Sequence, residues 1–374
     1  MILHLLDDPK FVNGAYDLFE EYYTGLNHFF VQIERGQKKK STKERFFFKA
    51  FTTRADRDFI KQYAVENKIQ HIMVHNLSPA KAALVNDLNR YLHAKTYWIF
   101  YGSDLYGYLS ARGKYNLHDE VSGSYQFNIA SLKYWCLFLL AFRTPPWKAF
   151  RKFIQHLNFF CFWNEYDFAL LKKHLTTTAE FKFFLYYHLI ARSDLLLQPQ
   201  KENGLILVNH SASFNGNHFT VLKKLKSFEN FDVLKKIIVP LSYGSGVVKE
   251  NLLSKGAEMF GNKFTPVINF IPMDQYYTLL KSIPVAIFGH KRQEGAGNVF
   301  YLLSTGAKVF LRNENNMINW LKDKGFSVFS FEDDLNSHAD LNELSDADKL
   351  RNQRVYTQVF SRNGEIKNME NLIA

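Results

Sequence analysis

PVAIFGHKRQEGAGNVFYLLSTGAKVFLRNE, residues 284–314, is the stretch on which the fold reading turns. An apolar run, Val285–Phe288, feeds a polar turn, Gly289–Gly297, and a helical pattern then runs over Asn298–Ser304. A second apolar run follows at Lys308–Leu311. The unit is therefore strand–loop–helix–strand, with Arg292, Glu294, Gly295 and Gly297 in the loop and Asn298 opening the helix. Free backbone N–H groups and the helix dipole draw a phosphate to such a place. Gly295 and Gly297 let the backbone come close, and Arg292 adds a charged donor. A nucleoside diphosphate suits this arrangement.

Working outward, the same alternation fills the C-terminal half. Strands are expected at Leu205–Val208, Lys236–Leu241 and Thr265–Phe270, and helices at Asn217–Phe228, Val247–Phe260 and Met273–Ser282. The N-terminal part alternates too, with strands at Ile2–Leu6, His28–Ile33, Arg45–Phe48, Ile69–His75 and Thr96–Tyr101. Helical patterns over Arg54–Asn67 and Pro79–His93 separate several of them, which implies parallel βαβ units. Asp7, Asp8 and Pro9 follow the first strand, so no dinucleotide fingerprint stands there. The expected class is α/β with two doubly wound domains facing a cleft: 1–197, 204–340, and a helical tail at 341–374. Residues 198–204, QPQKENG, read as the linker.

At 374 residues the chain exceeds one small core. Its 47% hydrophobic and 22% charged residues describe a folded protein, and 36 Phe with 20 Tyr make it unusually aromatic. The net charge of +11 suits an anionic membrane surface, a nucleic acid or phosphorylated ligands. Without a recognised binding motif, nucleic acid is set aside. Cys136 and Cys161 read as buried free thiols. MILHLLDDPK has no basic stretch ahead of a long apolar run, so no signal peptide is expected. The longest uncharged apolar run, Tyr134–Phe142, is too short to span a bilayer.

From about 107 to 190 the alternation gives way to an aromatic section expected to be helical and to face a membrane. Between Val121 and Asn164 there is no Asp or Glu, yet five Lys or Arg. A helix begun at Pro145-Pro146 puts Trp147, Phe150, Ile154 and Leu157 on one face and Lys148, Arg151 and Lys152 on the rest. It is either an interfacial anchor or an ordinary cover for the first core. The missing acids favour membrane contact through Trp147, Lys148, Phe150, Arg151 and Lys152.

Ligands in open α/β sheets bind outside the C-terminal ends of the strands. Tyr101-Gly102-Ser103-Asp104-Leu105-Tyr106 lies at one such end, where Asp104 is either a general base or a helix N-cap. His75 ends another strand and is the second candidate base, or a structural histidine. Asn209, Ser211 and Ser213 follow a third strand, as phosphate donors or as caps. Tyr243, after a fourth, either stacks on a base or packs in its turn. Asp346 and Asp348 have the spacing of a paired-aspartate metal site, but their polar surroundings read as solvated surface, and no metal is expected.

Taken in order, these segments resemble the TDP-4-acetamido-4,6-dideoxygalactose (N-acetylfucosamine):lipid-linked-saccharide transferases of enterobacterial common antigen synthesis. The resemblance rests on five segments: Tyr101–Tyr106, Asn209-His210-Ser211 with Asn217-His218, Val239–Tyr243, Arg292–Gly297 and Arg312–Asn315. Asn209 and His210 depart from the family's Gly–Asn pair, and Glu294 replaces a Gln. The resemblance implies a GT-B glycosyltransferase with two Rossmann-like domains. It would pass a deoxy-amino sugar from a TDP donor to a polyprenyl-diphosphate-linked saccharide, without a metal or other cofactor. It would work peripherally at the cytoplasmic face of the inner membrane. The donor site would comprise Asn209, Ser211, Ser213, Tyr243, Arg292, Glu294, Gly295, Gly297 and Asn298. A nucleotide-sugar epimerase or hydrolase, or a scaffold of the same fold without turnover, is the competing expectation.

Overall fold

The computed structural model describes residues 1–119, 129–186, 201–228 and 234–373, with the side chains of 129–134 outside the description. The chain divides into two compact units. One holds Met1–Lys114, Tyr125–His188 and Glu365–Ala374; the other holds Tyr115–Ser124 and Leu189–Gly364.

In the first unit, apolar runs form β1 (Ile2–Leu6), β2 (Asn27–Gln32), β3 (Phe46–Lys49), β4 (His71–His75) and β5 (Lys95–Ile99). All five residues of β1 are buried, as expected where helices cover both faces of a parallel sheet. The helices between start where the chemistry puts them. Asp8 caps α1 (Pro9–Tyr22), Thr53 caps α2 (Arg54–Glu66) and Ser78 caps α3 (Pro79–Leu88), each accepting from a first-turn N–H. Helix α3 ends before the expected His93.

The section expected to be helical holds α4 (Ser103–Ser110), α5 (Ile129–Phe142), α6 (Pro146–Gln155) and α7 (Glu165–His174), but it also supplies β6 (Phe159–Phe162) and β7 (Glu180–Phe183). Phe160 pairs with Trp98 and Phe181 with Phe160, extending the sheet. Four-residue aromatic runs carry too little periodicity to show this in advance. The parallel order is β3-β2-β1-β4-β5-β6-β7.

The second unit repeats that plan with β8 (Leu205–Val208), β9 (Lys236–Pro240), β10 (Phe264–Val267), β11 (Val285–Phe288), β12 (Lys308–Leu311) and β13 (Phe329–Ser330), in the order β10-β9-β8-β11-β12-β13. Its helices are α8 (His218–Lys226), α9 (Gly246–Phe260), α10 (Met273–Ser282), α11 (Ala296–Ser304), α12 (Asn316–Lys324) and α13 (Asp346–Val359). Val208, Val285, Ile287 and Phe310 meet in its core. In both sheets the strand order reverses beside the first strand, between β1 and β4 and between β8 and β11. A doubly wound sheet places its ligand crevice at that reversal.

Two segments are assigned differently from the linear domain reading. Residues 115–119 belong with the second unit, where Tyr115 Oη donates to the carbonyls of Lys291 (2.5 Å) and Glu314 (2.8 Å). Asp119 there takes hydrogen bonds from Lys291, Arg312 and Thr220 at 2.8, 2.8 and 2.6 Å. Burial works to raise its carboxyl, and those donors outweigh burial and hold it below the ordinary range. The tail is not one piece: α13 packs on α11, while the end of α14 (Arg362–Glu370) returns to the first unit. Of the expected linker, residues 198–200 lie outside the described residues. Cys161 is buried, but Cys136 is exposed on α5, contrary to expectation. No helix among the described residues is long and apolar enough to cross a membrane.

Candidate active site

In the second unit the reversal point is built by the loops after β8 and β11. Asn209 follows β8 with a left-handed φ of 59°. Its amide donates to the Gly216 carbonyl (2.9 Å) and its oxygen accepts from Gly289 N–H (2.8 Å), so it clamps the two loops together. Fully buried and so bonded, Asn209 is a scaffold residue and not a direct donor contact. Ser211 Oγ lies 3.4 Å from His210 Nε2, and Ser213 Oγ accepts from Asn215 N–H. After β9, Gly244 packs against the Ala212 backbone so closely that a Cβ would come within 2.6 Å of its carbonyl oxygen. Neighbouring Tyr243 is 57% exposed. Ser211 and Ser213 stand on the same loop, so the structure groups them with the clamp.

The loop after β11 carries the charges. Arg292 Nη2 meets Glu294 Oε2 at 2.6 Å, and His290 Nε2 stands 3.6 Å from Glu294 Oε1. Burial alone would raise Glu294, but His290 and Arg292 outweigh it and hold the carboxyl down to about 2. His290 is pushed down to about 3 and His218 to about 4, chiefly by burial, so both rings are neutral near pH 7. Gly295 turns with φ 71°, and a Cβ there would lie 2.7 Å from His210 Nδ1, so glycine is required twice over. Helix α11 follows without a side-chain cap on its N-terminus. Gly297 and Asn298 occupy its first turn, the former exposed.

This loop and its neighbours also hold buried polar atoms with no hydrogen-bond partner among the described residues. They are both ring nitrogens of His290, His218 Nε2, Arg292 Nε and both amide atoms of Gln293. Each such atom costs about 1–3 kcal/mol if it stays unmatched. A polar ligand satisfies what the protein does not. His290 and Gln293 did not stand out in the sequence. The usable signal was position, since both lie in the loop that follows β11 at the reversal point.

In the first unit, His75 is 1% exposed. Its Nε2 faces His4 Nδ1 at 3.0 Å and its Nδ1 bonds Tyr186 Oη. The chain continues from His4 to Asn27 (3.1 Å) and from Tyr186 to Tyr101 (3.2 Å). With both nitrogens committed inside the core, His75 is structural and not a base that meets solvent. Asp104 accepts from the N–H groups of Leu77 (3.0 Å), Gly102 (3.0 Å) and Leu105 (3.2 Å) and from Trp98 Nε1 (2.6 Å). Burial raises its carboxyl while these donors pull it back. Four donors occupy the four acceptor positions of a carboxylate. Asp7, directly after β1, is arranged differently. Its Oδ1 is held by the fully buried Lys81 at 2.7 Å and by Asn76 at 3.4 Å, while Oδ2 accepts from no described residue.

The membrane-facing expectation is partly redrawn. Phe150 is buried at 3% exposure, stacked on Tyr108 at 4.4 Å and against Trp98, so it is core and not a membrane contact. Lys148, Arg151 and Lys152 are exposed, and Trp147 is half-buried beneath Arg112. The exposed apolar groups stand on α5 instead: Trp135, Leu137, Leu139 and Leu140. Among the described residues no three of His, Cys, Asp and Glu gather as metal ligands.

Comparison with known proteins identifies the fold and the family. Among solved structures, the chain is similar over its whole length to a sucrose-phosphate synthase from Thermosynechococcus elongatus, at 9% identity, with 98% of that chain covered and a TM-score of 0.67. It is likewise similar to the Anabaena protein HepE in complex with UDP, at 9% identity, with 100% of this chain and 99% of that one covered and a TM-score of 0.63. These likenesses establish the two-domain GT-B fold. The family model of the 4-alpha-L-fucosyltransferases, glycosyl transferase group 56, matches residues 149–360, more than half the chain and including every loop of the second unit's reversal point. The protein is a glycosyltransferase and belongs to the 4-alpha-L-fucosyltransferase family, glycosyl transferase group 56.

Proposed function

We propose that this glycosyltransferase moves a deoxy-amino sugar of the N-acetylfucosamine type from a TDP-sugar to a saccharide carried on polyprenyl diphosphate, in bacterial surface-polysaccharide assembly. The observation that carries the reading is the set of unmatched buried polar atoms beside the uncapped start of α11. Arg292 and the first N–H groups of α11 meet the two phosphates. Tyr243 stacks on the base, and Glu294, Gln293 and His290 take the sugar and ribose hydroxyls. HepE was solved with UDP, which supports a nucleotide-bearing ligand here.

In the transfer, an acceptor hydroxyl oxygen forms a bond to the sugar's anomeric carbon as the bond from that carbon to the diphosphate breaks. The hydroxyl proton passes to a carboxylate, and TDP leaves with the electron pair. Arg292 and the helix N-terminus neutralise the departing charge, so no resident metal is called for. We assign the proton to Asp7, whose free oxygen sits at the reversal point of the first unit. Asp104, with its lone pairs filled, supports the neighbouring strand ends. The exposed apolar side of α5 and the cations of α6 hold the protein peripherally on the anionic cytoplasmic face of the inner membrane.

Calorimetry tests the donor half. TDP is expected to bind the wild-type protein, and Arg292→Ala is expected to weaken it by about tenfold or more. Absence of heat with TDP, UDP and their sugar conjugates on folded protein rejects the reading.

A further inference from the structure

The first unit has an open cavity of about 770 Å³ lined by the starts of α3 and α4 and the helices α5 and α6. That is the size of a small-ligand site. Its walls are mainly apolar and aromatic: Trp135, Trp147, Phe150, Tyr108 and the rings of Pro79 and Pro146. Gly107 and Ala111 keep α4 thin where it borders the space. Two charged side chains line it. Asp104 is already saturated by its four donors. Arg112 is exposed, stands over the rings of Tyr108 (4.8 Å) and Trp147 (5.1 Å), and pairs with no carboxylate among the described residues.

Besides Asn76, Ser78 and Ser103 at the helix starts, these walls offer a sugar's hydroxyls few partners. They suit a hydrocarbon chain, and Arg112 suits an anion attached to it. Trp135 also shows where the chain comes from. It lines the cavity from α5, the helix that exposes Leu137 at 47%, Leu139 at 41% and Leu140 at 79%. Lys148, Arg151 and Lys152 on adjoining α6 are exposed and have no carboxylate partner among the described residues. The cavity is thus continuous with an apolar surface bordered by uncompensated positive charge, the complement of an anionic bilayer.

We propose that this cavity receives the first isoprenoid units of the acceptor's polyprenyl chain, with its diphosphate at Arg112. The assignment rests on the lipid-linked acceptor reading above and gives that acceptor a place.

Gly107 supplies the test. It is exposed and helical, and a Cβ built there meets nothing within 4 Å. Gly107→Phe therefore fills the cavity without backbone strain, and replacing a helical glycine favours the fold. The probe is a 15-carbon isoprenyl diphosphate, with uptake by the full-length protein followed through tryptophan fluorescence. Inorganic diphosphate and an uncharged alkyl detergent are run in parallel. The isoprenyl diphosphate is expected to bind best, and Gly107→Phe to weaken it by about tenfold while TDP binding and the melting temperature hold. Arg112→Ala is expected to narrow its advantage over the detergent. Equal binding by Gly107→Phe, or equal binding of inorganic diphosphate, overturns the proposal. Transfer assays separate it from the underlying reading. If wild type needs the lipid on its acceptor and Gly107→Phe turns over that acceptor equally well, the cavity assignment falls alone. If wild type serves a lipid-free saccharide equally, the lipid-linked reading falls and takes this assignment with it.

Discussion

Asp7, after β1, and Asp104, after β5, are two carboxylates on either side of β4 that the fold holds in different ways. Four donors hold Asp104, so Asp104→Asn turns its amide N–H groups toward one pair of them, Trp98 with Leu77 or Gly102 with Leu105, and breaks two hydrogen bonds. That substitution is expected to cost about 1–3 kcal/mol of stability, with turnover per folded molecule largely kept. Asp7 keeps one oxygen free, and its loss should remove a general base, worth about 10²–10⁴ in rate. Asp7→Asn alone would strand the buried Lys81 cation, whose own affinity for its proton burial lowers to about 8. The informative variant is therefore Asp7→Asn with Lys81→Met, assayed for melting temperature, TDP binding and kcat together. Fold and TDP binding kept with kcat collapsed supports the assignment. A reversed pattern, with turnover lost only in Asp104→Asn, would transfer the base to Asp104. The sequence did name Asp104, because a carboxylate at a strand end is visible. It did not show that Asp104's lone pairs are filled, since Leu77 and Trp98 reach it through the tertiary fold.

At the scale of the element, α6 buries the apolar stripe that its pattern shows, and α5 exposes apolar side chains. Helix α6 has the amphipathic stripe, and its apolar side, Ala149, Phe150, Phe153 and Ile154, faces the core. Helix α5 is apolar around more of its circumference, so packing through Phe138 and Phe142 leaves Trp135, Leu137 and Leu140 in solvent. Arg57 pins it there, donating to the Ala141 carbonyl (2.9 Å) and lying over the Phe142 ring (4.6 Å). Flotation with liposomes containing anionic lipid is expected for wild type and should weaken as salt screens the α6 cations. Leu137→Glu with Leu140→Glu should abolish flotation at any salt while the melting temperature stays within a few degrees. Unchanged flotation would move the membrane contact off α5. An amphipathic pattern records that one face is apolar, and the partner of that face is decided elsewhere.

At the scale of the whole molecule, buried histidines couple stability to pH in both units. Burial lowers His4 to about 3 and His28 to about 4 in the first, and His290 to about 3 and His218 to about 4 in the second. Each folded-state value lies below the unfolded one near 6.5, so the unfolded chain takes up protons first as pH falls. Stability is fully present above about 6.5 and declines toward about 4 as the unfolded chain's rings take up protons that the folded rings refuse. Urea midpoints should therefore fall steeply between pH 7 and pH 5, and a flat profile would mean that these rings are not buried. The doubly wound plan itself was readable along the chain, because apolar runs separated by capped helical patterns admit few arrangements. Ile2–Leu6, Leu205–Val208, Met273–Ser282, Val285–Phe288 and Lys308–Leu311 occur as the pattern says. Local sequence also determined the Gly295 turn and the helix it opens, since backbone conformation and helix starts depend on neighbours a few residues away. What only the tertiary structure decided were pairings far apart in sequence: β6 and β7 joining the sheet, His75 closed in against His4 and Tyr186, and residues 115–119 belonging to the second unit. Burial and long-range hydrogen bonds fix whether a polar side chain is satisfied or left for a ligand, and neither is a property of the residue's sequence neighbours.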